Sequence, residues 1–183
     1  MTFRNTTRSW GAVTKALHWI IVLLIINQWL IAERAESLTG FAKLKALGYH
    51  KSFGMTILML AVIRLVWRWM NPVPDLRNET KRWERVLANV SHMLLYALIF
   101  AMPITGWLMS SAKTYSVSWF NLFAFPNLVG KSDDVFQQTR DLHHLLFKVL
   151  VVVAVLHALG ALKHHFIDKN DVLKRMLPFG GVK

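Results

Sequence analysis

Four long apolar runs, at 17–32, 50–69, 86–109 and 142–161, limit what this 183-residue chain can become. A helix rises about 1.5 Å per residue, so runs of roughly 16–24 residues cross a hydrocarbon core of about 30 Å, the first only with its flanks included. The pattern predicts an all-α, integral-membrane four-helix bundle forming one domain over 1–183, with spans at about 16–33, 50–69, 86–109 and 142–163. Charged residues are 17% of the chain. A soluble domain carries about 25%, so the solvent this sequence anticipates is lipid.

The segments between the runs, 33–49, 70–85 and 110–141, are polar and carry helix breakers. Asn71-Pro72-Val73-Pro74 lies in the second, and Pro126 and Gly130 lie in the third. Proline lacks an amide donor and disfavours helical geometry in the residue before it, so these segments read as loops. Pro103 and Gly106 inside the third run predict a kink. The aromatic stretch 117–125 is too short to span and suits a segment lying in the membrane interface, capping one end of the bundle.

Lysine and arginine are distributed unevenly. Fourteen fall on the side holding both termini, among them Arg4, Arg8, Lys15, Arg77, Lys174 and Lys183, against six on the other side. The positive-inside rule then makes both termini cytoplasmic. The formal charge of +12 is divided among the flanks of apolar runs, which fits contact with anionic lipid and excludes a nucleic-acid partner. The basic leader and short first run also resemble a cleaved signal peptide. A buried-looking histidine opening the run, and no clear small-x-small site after it, weigh against that reading.

Eight histidines lie in or near the spans: His18, His50, His92, His143, His144, His157, His164 and His165. Ionisable groups inside a membrane bundle are costly and point to function. Alternating helix direction puts His18 and His92 near one membrane face and His50 and His143 near the other. His157 follows His143 by fourteen residues. On a helix that is a rise of roughly 21 Å and a rotation only about 40° short of four turns. Both imidazoles therefore share one side of one helix, each level with a histidine on another helix.

That arrangement suits two metal centres held by imidazoles. A bare ion wants three or four ligands, usually with carboxylates or thiolates among them, and the chain has no cysteine and no acid deep in a span. Haem needs only two axial groups. Two non-covalent b-type haems are the economical reading, with Gly54, Gly106 and Gly160 as candidates for close approach of the macrocycle. The competing reading is of histidines that merely hydrogen-bond neighbouring helices.

Leu17-His18-Trp19, Gly48-Tyr49-His50-Lys51-Ser52-Phe53-Gly54, Arg64-Leu65-Val66-Trp67-Arg68, the His143 and His157 pair, and the tail from Leu162 to Lys169 together resemble the bacterial cytochrome b561 family. These are di-haem inner-membrane cytochromes allied to the b-type subunits of nickel hydrogenases. The likeness runs from about Arg8 to Pro178. It implies that His18 and His157 ligate the iron of a cytoplasmic-side haem, and His50 and His143 that of an outer haem. Depth alone leaves His18 and His92 equal as partners of His157; the family pattern selects His18.

Arg64 lies fourteen residues after His50 and is a candidate partner for a haem propionate. Arg68 is equally well read as snorkelling to the interface. His92 and Lys148 are candidates for contact with a quinone, a propionate or a substrate, with snorkelling the default for Lys148. His144 reads as interfacial, and His164 and His165 as solvated or as part of a proton relay.

Bis-histidine haem leaves no open iron position, so the expected activity is one-electron transfer. Three function classes are compatible. The first is a quinone-linked oxidoreductase of the bacterial inner membrane, exchanging electrons between the quinone pool and an outer donor or acceptor. Some members of the family use superoxide, which Lys43, Lys45, Lys51, Lys113 and Lys131 would steer against nearby Glu33, Glu36, Asp133, Asp134 and Asp141. The second is a cytochrome subunit docked to a dehydrogenase or a redox protein partner. The third, a metal-ion or proton transporter, expects polar residues lining a route, and the spans offer few.

Overall fold

A computed structural model describes residues 2–7, 9–75 and 80–179. Arg8, Arg77 and Lys183, counted above for orientation, lie outside these residues. Four long helices, α1 (Ala12–Glu36), α2 (Gly40–Trp69), α3 (Arg82–Ala112) and α4 (Asp133–Phe166), are joined by a hairpin of β1 (Val117–Trp119) and β2 (Phe123–Phe125) between α3 and α4, and followed by the short α5 (Val172–Met176). All four long helices have the length and composition to cross a membrane. Large apolar side chains such as Leu23, Leu30, Leu87, Leu145, Val152 and Leu156 point outward on them, as expected when the surroundings are hydrocarbon.

The helices are longer than the apolar runs, and the loops correspondingly shorter. Between α1 and α2 only residues 37–39 are non-helical. The segment from Ala42 to Leu47 is built from Ala, Lys and Leu, strong helix formers, so helix continues past the apolar stretch. At α4, the Ser132 hydroxyl accepts the Val135 amide at 3.3 Å, and Asp133 and Asp134 occupy the first turn. This cap and the favourable charge at the helix N-terminus start α4 nine residues before the apolar run. Helix α3 continues through Pro103.

The aromatic stretch folds as an antiparallel hairpin, Val117 opposite Phe125 and Trp119 opposite Phe123. Phe120 and Asn121 turn with φ of 48° and 61°, left-handed geometry that is ordinary for Asn and unusual for Phe. Side chains of α2 hold the turn in place. The Phe120 amide donates to Ser52 Oγ at 3.1 Å, and Trp119 Nε1 donates to Thr56 Oγ1 at 3.0 Å.

By internal contact the chain forms two compact units. Unit 1 comprises Met1–Ile20, Val62–Ala97 and Leu150–Lys183, and unit 2 comprises Ile21–Ala61 and Leu98–Val149. In unit 1 the N-terminal arm is organised by buried Asn5. Its Oδ1 accepts from the Gly11 amide (2.9 Å) and Thr14 Oγ1 (2.7 Å), and its amide nitrogen donates to the Pro72 carbonyl (3.0 Å). Trp67 Nε1 donates to Thr14 Oγ1 at 3.1 Å. Gly11 is required there, because a Cβ would fall 2.4 Å from the Phe3 carbonyl oxygen. Unit 2 is packed around Ile21, Met55, Ile57, Ala61, Leu98 and Ile99, with Ser52, Thr105, Ser110 and Ser111 buried beside them.

Candidate cofactor-binding sites

In unit 2, α2 and α4 bring His50 and His143 together, with ring centroids 6.4 Å apart and planes at 72°. A metal bonded to an imidazole nitrogen at about 2.0–2.1 Å lies roughly 3 Å from the ring centre, so two imidazoles on opposite sides of one metal have centres about 6 Å apart. The observed spacing fits an iron between the two rings. His50 and His143 thus fit a shared axial pair.

Thr105 of α3 sits against His143. Thr105 Oγ1 lies 3.0 Å from His143 Nδ1 and 2.9 Å from both the Ala101 and Met102 carbonyls. A hydroxyl has one proton. Given to a carbonyl, it leaves the oxygen as acceptor for Nδ1–H, and the His143 lone pair then resides on Nε2, the nitrogen free to bind a metal. Gly106 makes the approach possible, since a Cβ there would sit 3.3 Å from His143 Cε1.

His50 is held differently. Gln28 Nε2 donates to the His50 main-chain carbonyl at 2.8 Å, a contact that Gly54 leaves room for, since a Cβ there would lie 3.1 Å from that nitrogen. The Gln28 main-chain carbonyl faces the His50 imidazole, yet His50 Nδ1 completes no hydrogen bond among the described residues.

Unit 1 gathers His18 of α1, His157 of α4, His92 of α3 and Arg64 of α2 within electrostatic reach of one another. His18 Nδ1 is buried without a hydrogen-bond partner among the described residues. A buried polar nitrogen left unsatisfied costs about 1–3 kcal/mol, which a bound group would relieve. His92 packs edge-on to His157 with centroids 5.1 Å apart. That is too close for a metal between these two rings, so His92 lies beside His157. Arg64 and Arg68 both lie over the Tyr96 ring, with Cζ 5.5 and 5.9 Å from its centre. Two guanidinium groups on one tyrosine provide ten N–H donors in all, suited to paired carboxylates such as haem propionates.

The other predicted candidates lie elsewhere. Lys148 and His144 are exposed, as a snorkelling lysine and an interfacial histidine would be. His164 Nδ1 lies 2.8 Å from Asp168 Oδ2. His165 Nδ1 is buried without a hydrogen-bond partner among the described residues, and its ring packs on Phe166. A Cβ at Gly160 would meet nothing within 4 Å.

Thr105, Gln28 and Tyr96 went unread in the sequence, where only their position inside apolar spans marked them. So did an ion-pair cluster in unit 1: Lys163 bridges the buried Glu84 and Asp168. The ligand-type atoms of Glu84, His164 and Asp168 lie within 4.8 Å of one another, but the Lys163 ammonium already pairs with both carboxylates.

Helices of membrane-spanning length that bring imidazoles of different helices together within each unit fit a class, the helical membrane cytochromes. Residues 9–179 match the family described as prokaryotic cytochrome b561, and the chain belongs to that family. It is 35% identical to "Cytochrome b561 homolog 2" of Escherichia coli K12 over 97% of this chain and 95% of that protein. It is 30% identical to "Probable superoxide oxidase CybB" of Yersinia pestis over 93% of this chain and 97% of that protein, and 26% identical to "Cytochrome b561 homolog 1" of E. coli K12, over 88% and 93%. Membership implies b-type haem and transmembrane electron transfer in a multi-pass membrane protein.

Proposed function

We infer that the chain passes single electrons between an outer-side donor and the quinone pool of the bacterial inner membrane, with two b-type haems ligated by His50 and His143 and by His18 and His157. The observation that carries this reading is the His50–His143 pair, whose 6.4 Å separation suits an intervening iron. Bound there, haem supplies reversible one-electron chemistry at an iron with no open position for oxygen.

The chain's own residues hold and tune that group. Thr105 keeps the His143 proton on Nδ1, Gly106 admits the ring against α3, and Gln28 anchors the backbone under His50. Arg64 and Arg68 offer guanidinium donors to propionate carboxylates, which offsets the cost of burying charge of either sign alone. The excess of lysine and arginine on the side of the termini supports a cytoplasmic location for both.

Superoxide is the outer donor that the Yersinia relative's name supports. Two superoxide anions, one quinone and two protons give two dioxygen molecules and one quinol, which balances atoms and electrons. Lys51, next to His50, donates to the Ser116 carbonyl at 3.2 Å and lies over the Tyr115 ring, leaving a cation beside the outer site. Lys113 is less available, being paired with Asp133 at 2.7 Å. The test is stopped-flow mixing of the purified holoprotein with superoxide, following haem absorbance and quinol formation at several ionic strengths. Fast, salt-sensitive reduction with two haems per chain is expected; slow, salt-independent reduction would remove superoxide as the donor.

A further inference from the structure

The two facing histidines of unit 2 are held unequally. The His143 ring has the Thr105 hydroxyl at its Nδ1, whereas His50 Nδ1 completes no hydrogen bond among the described residues. The aim of the His50 ring therefore rests on the rotation of α2 itself. Gln28 of α1 grips that turn through the His50 carbonyl. A second grip comes from the β1–β2 hairpin.

Lys51, Ser52, Phe53 and Thr56, all within two turns of His50, hold the hairpin. Lys51 Nζ donates to the Ser116 carbonyl at 3.2 Å. Ser52 Oγ accepts from the Phe120 amide at 3.1 Å and lies 2.9 Å from the Ser118 carbonyl. The Phe53 ring packs edge-on to Phe120 at 5.1 Å, and Thr56 Oγ1 accepts from Trp119 Nε1 at 3.0 Å. At about 100° per residue, Ser52 and Thr56 lie roughly 120–160° around the helix from His50, so the hairpin grips the back of the turn whose front carries the imidazole. The chain leaving β2 is tied to α3. Trp107 Nε1 donates to the Pro126 carbonyl at 2.9 Å, and the Leu128 amide donates to Ser111 Oγ at 3.1 Å. Trp107 follows Gly106, the residue that admits the His143 ring. Phe120 keeps a φ of 48°, a geometry that is costly for a bulky side chain and persists only where its surroundings hold it.

We propose that the hairpin is a strap that sets the rotation of α2 at His50, with Ser52 and Trp119 as positioning residues for this imidazole. This role rests on iron ligation by His50 and His143 as inferred above. The planes of these two rings cross at 72°, and a ferric haem between steeply crossed imidazoles has a strongly anisotropic low-spin resonance that moves when either ring turns. Loosening the strap turns the His50 ring and admits water to the outer end of unit 2, which favours the charged ferric state and lowers the reduction potential. A loop that merely connects α3 to α4 would leave both quantities unchanged.

The test is low-temperature electron paramagnetic resonance and redox titration of the haem-loaded full chain. Ser52→Ala and Trp119→Phe should each shift the resonance of the haem between His50 and His143. Each should also move its oxidised-to-reduced equilibrium about tenfold toward the oxidised form, a fall of about 59 mV for one electron. The other haem should keep its signal and potential, and haem content should stay at the wild-type value. Ser52→Thr, which keeps the hydroxyl, should restore both readings. Should Ser52→Ala fail to assemble, Trp119→Phe decides alone, since it keeps an aromatic ring and removes the donor to Thr56. An unmoved outer resonance, or equal shifts at both haems, would overturn the strap. His50→Ala checks the ligation separately. If it leaves the outer resonance intact, the ligation reading falls; if it removes that resonance while the strap variants change nothing, only the strap is refuted.

Discussion

The Thr105 hydroxyl and the His143 imidazole meet at 3.0 Å, and the Ala101 carbonyl one turn earlier on the same helix lies 2.9 Å from the same oxygen. A hydroxyl proton given to that carbonyl leaves the His143 lone pair on Nε2.

Replacing Thr105 with valine preserves shape and removes the acceptor. Loss of such outer partners typically weakens metal binding by about 10–100-fold. Haem titration of the purified Thr105→Val protein should show that loss at one site only, and Thr105→Ser should restore it. Gly106→Ala should act on the same site by crowding the His143 ring. Equal loss at both sites would place the effect in general folding.

The two proposed ligand pairs are separable by spectroscopy. His143→Ala should remove the outer haem and His157→Ala the other, each variant retaining about half the reduced-minus-oxidised absorbance per chain. His92→Ala should retain both haems. If His92→Ala abolishes a haem that His18→Ala leaves intact, the axial assignment at that site is reversed.

At the end of α4, the Lys163 ammonium holds the Asp168 carboxyl below the usual aspartate range, with His164 adding to the effect. A depressed folded value means that the stabilisation is complete above the ordinary aspartate pKa of about 3.9 and is lost as pH falls through the lower folded value. Helix-end protection in hydrogen exchange should therefore be constant from neutral pH to about 5 and decline in stronger acid. Lys163→Met should weaken that dependence, His164 remaining beside Asp168, and destabilise more than the double change with Glu84→Gln, since the single variant leaves the buried carboxylate without its cation.

The four-helix plan was legible because apolar runs of spanning length are a strong signal, and the His143 to His157 spacing carried the idea of two sites. Helix ends were not. Residues 40–49 lack the hydropathy of a span but have the intrinsic preference for helix, and hydropathy alone stops at His50. The hairpin escaped because Phe120 and Asn121 adopt left-handed geometry without a glycine, held by Ser52 of α2, 68 residues earlier in the chain. The second layer around the histidines was hidden for a similar reason. A threonine in an apolar run looks neutral until the fold sets a histidine nitrogen beside it.

The N-terminal arm has an implication for biosynthesis. Asn5 bonds the Pro72 carbonyl, and the Asp75 amide donates to the Thr7 carbonyl at 2.9 Å, so the arm's distant partners do not exist until the ribosome has made the second helix and the turn after it. The leading residues must stay open while the first helical hairpin is inserted and close afterwards, which makes the beginning of the polypeptide one of the later parts of this region to reach its final form.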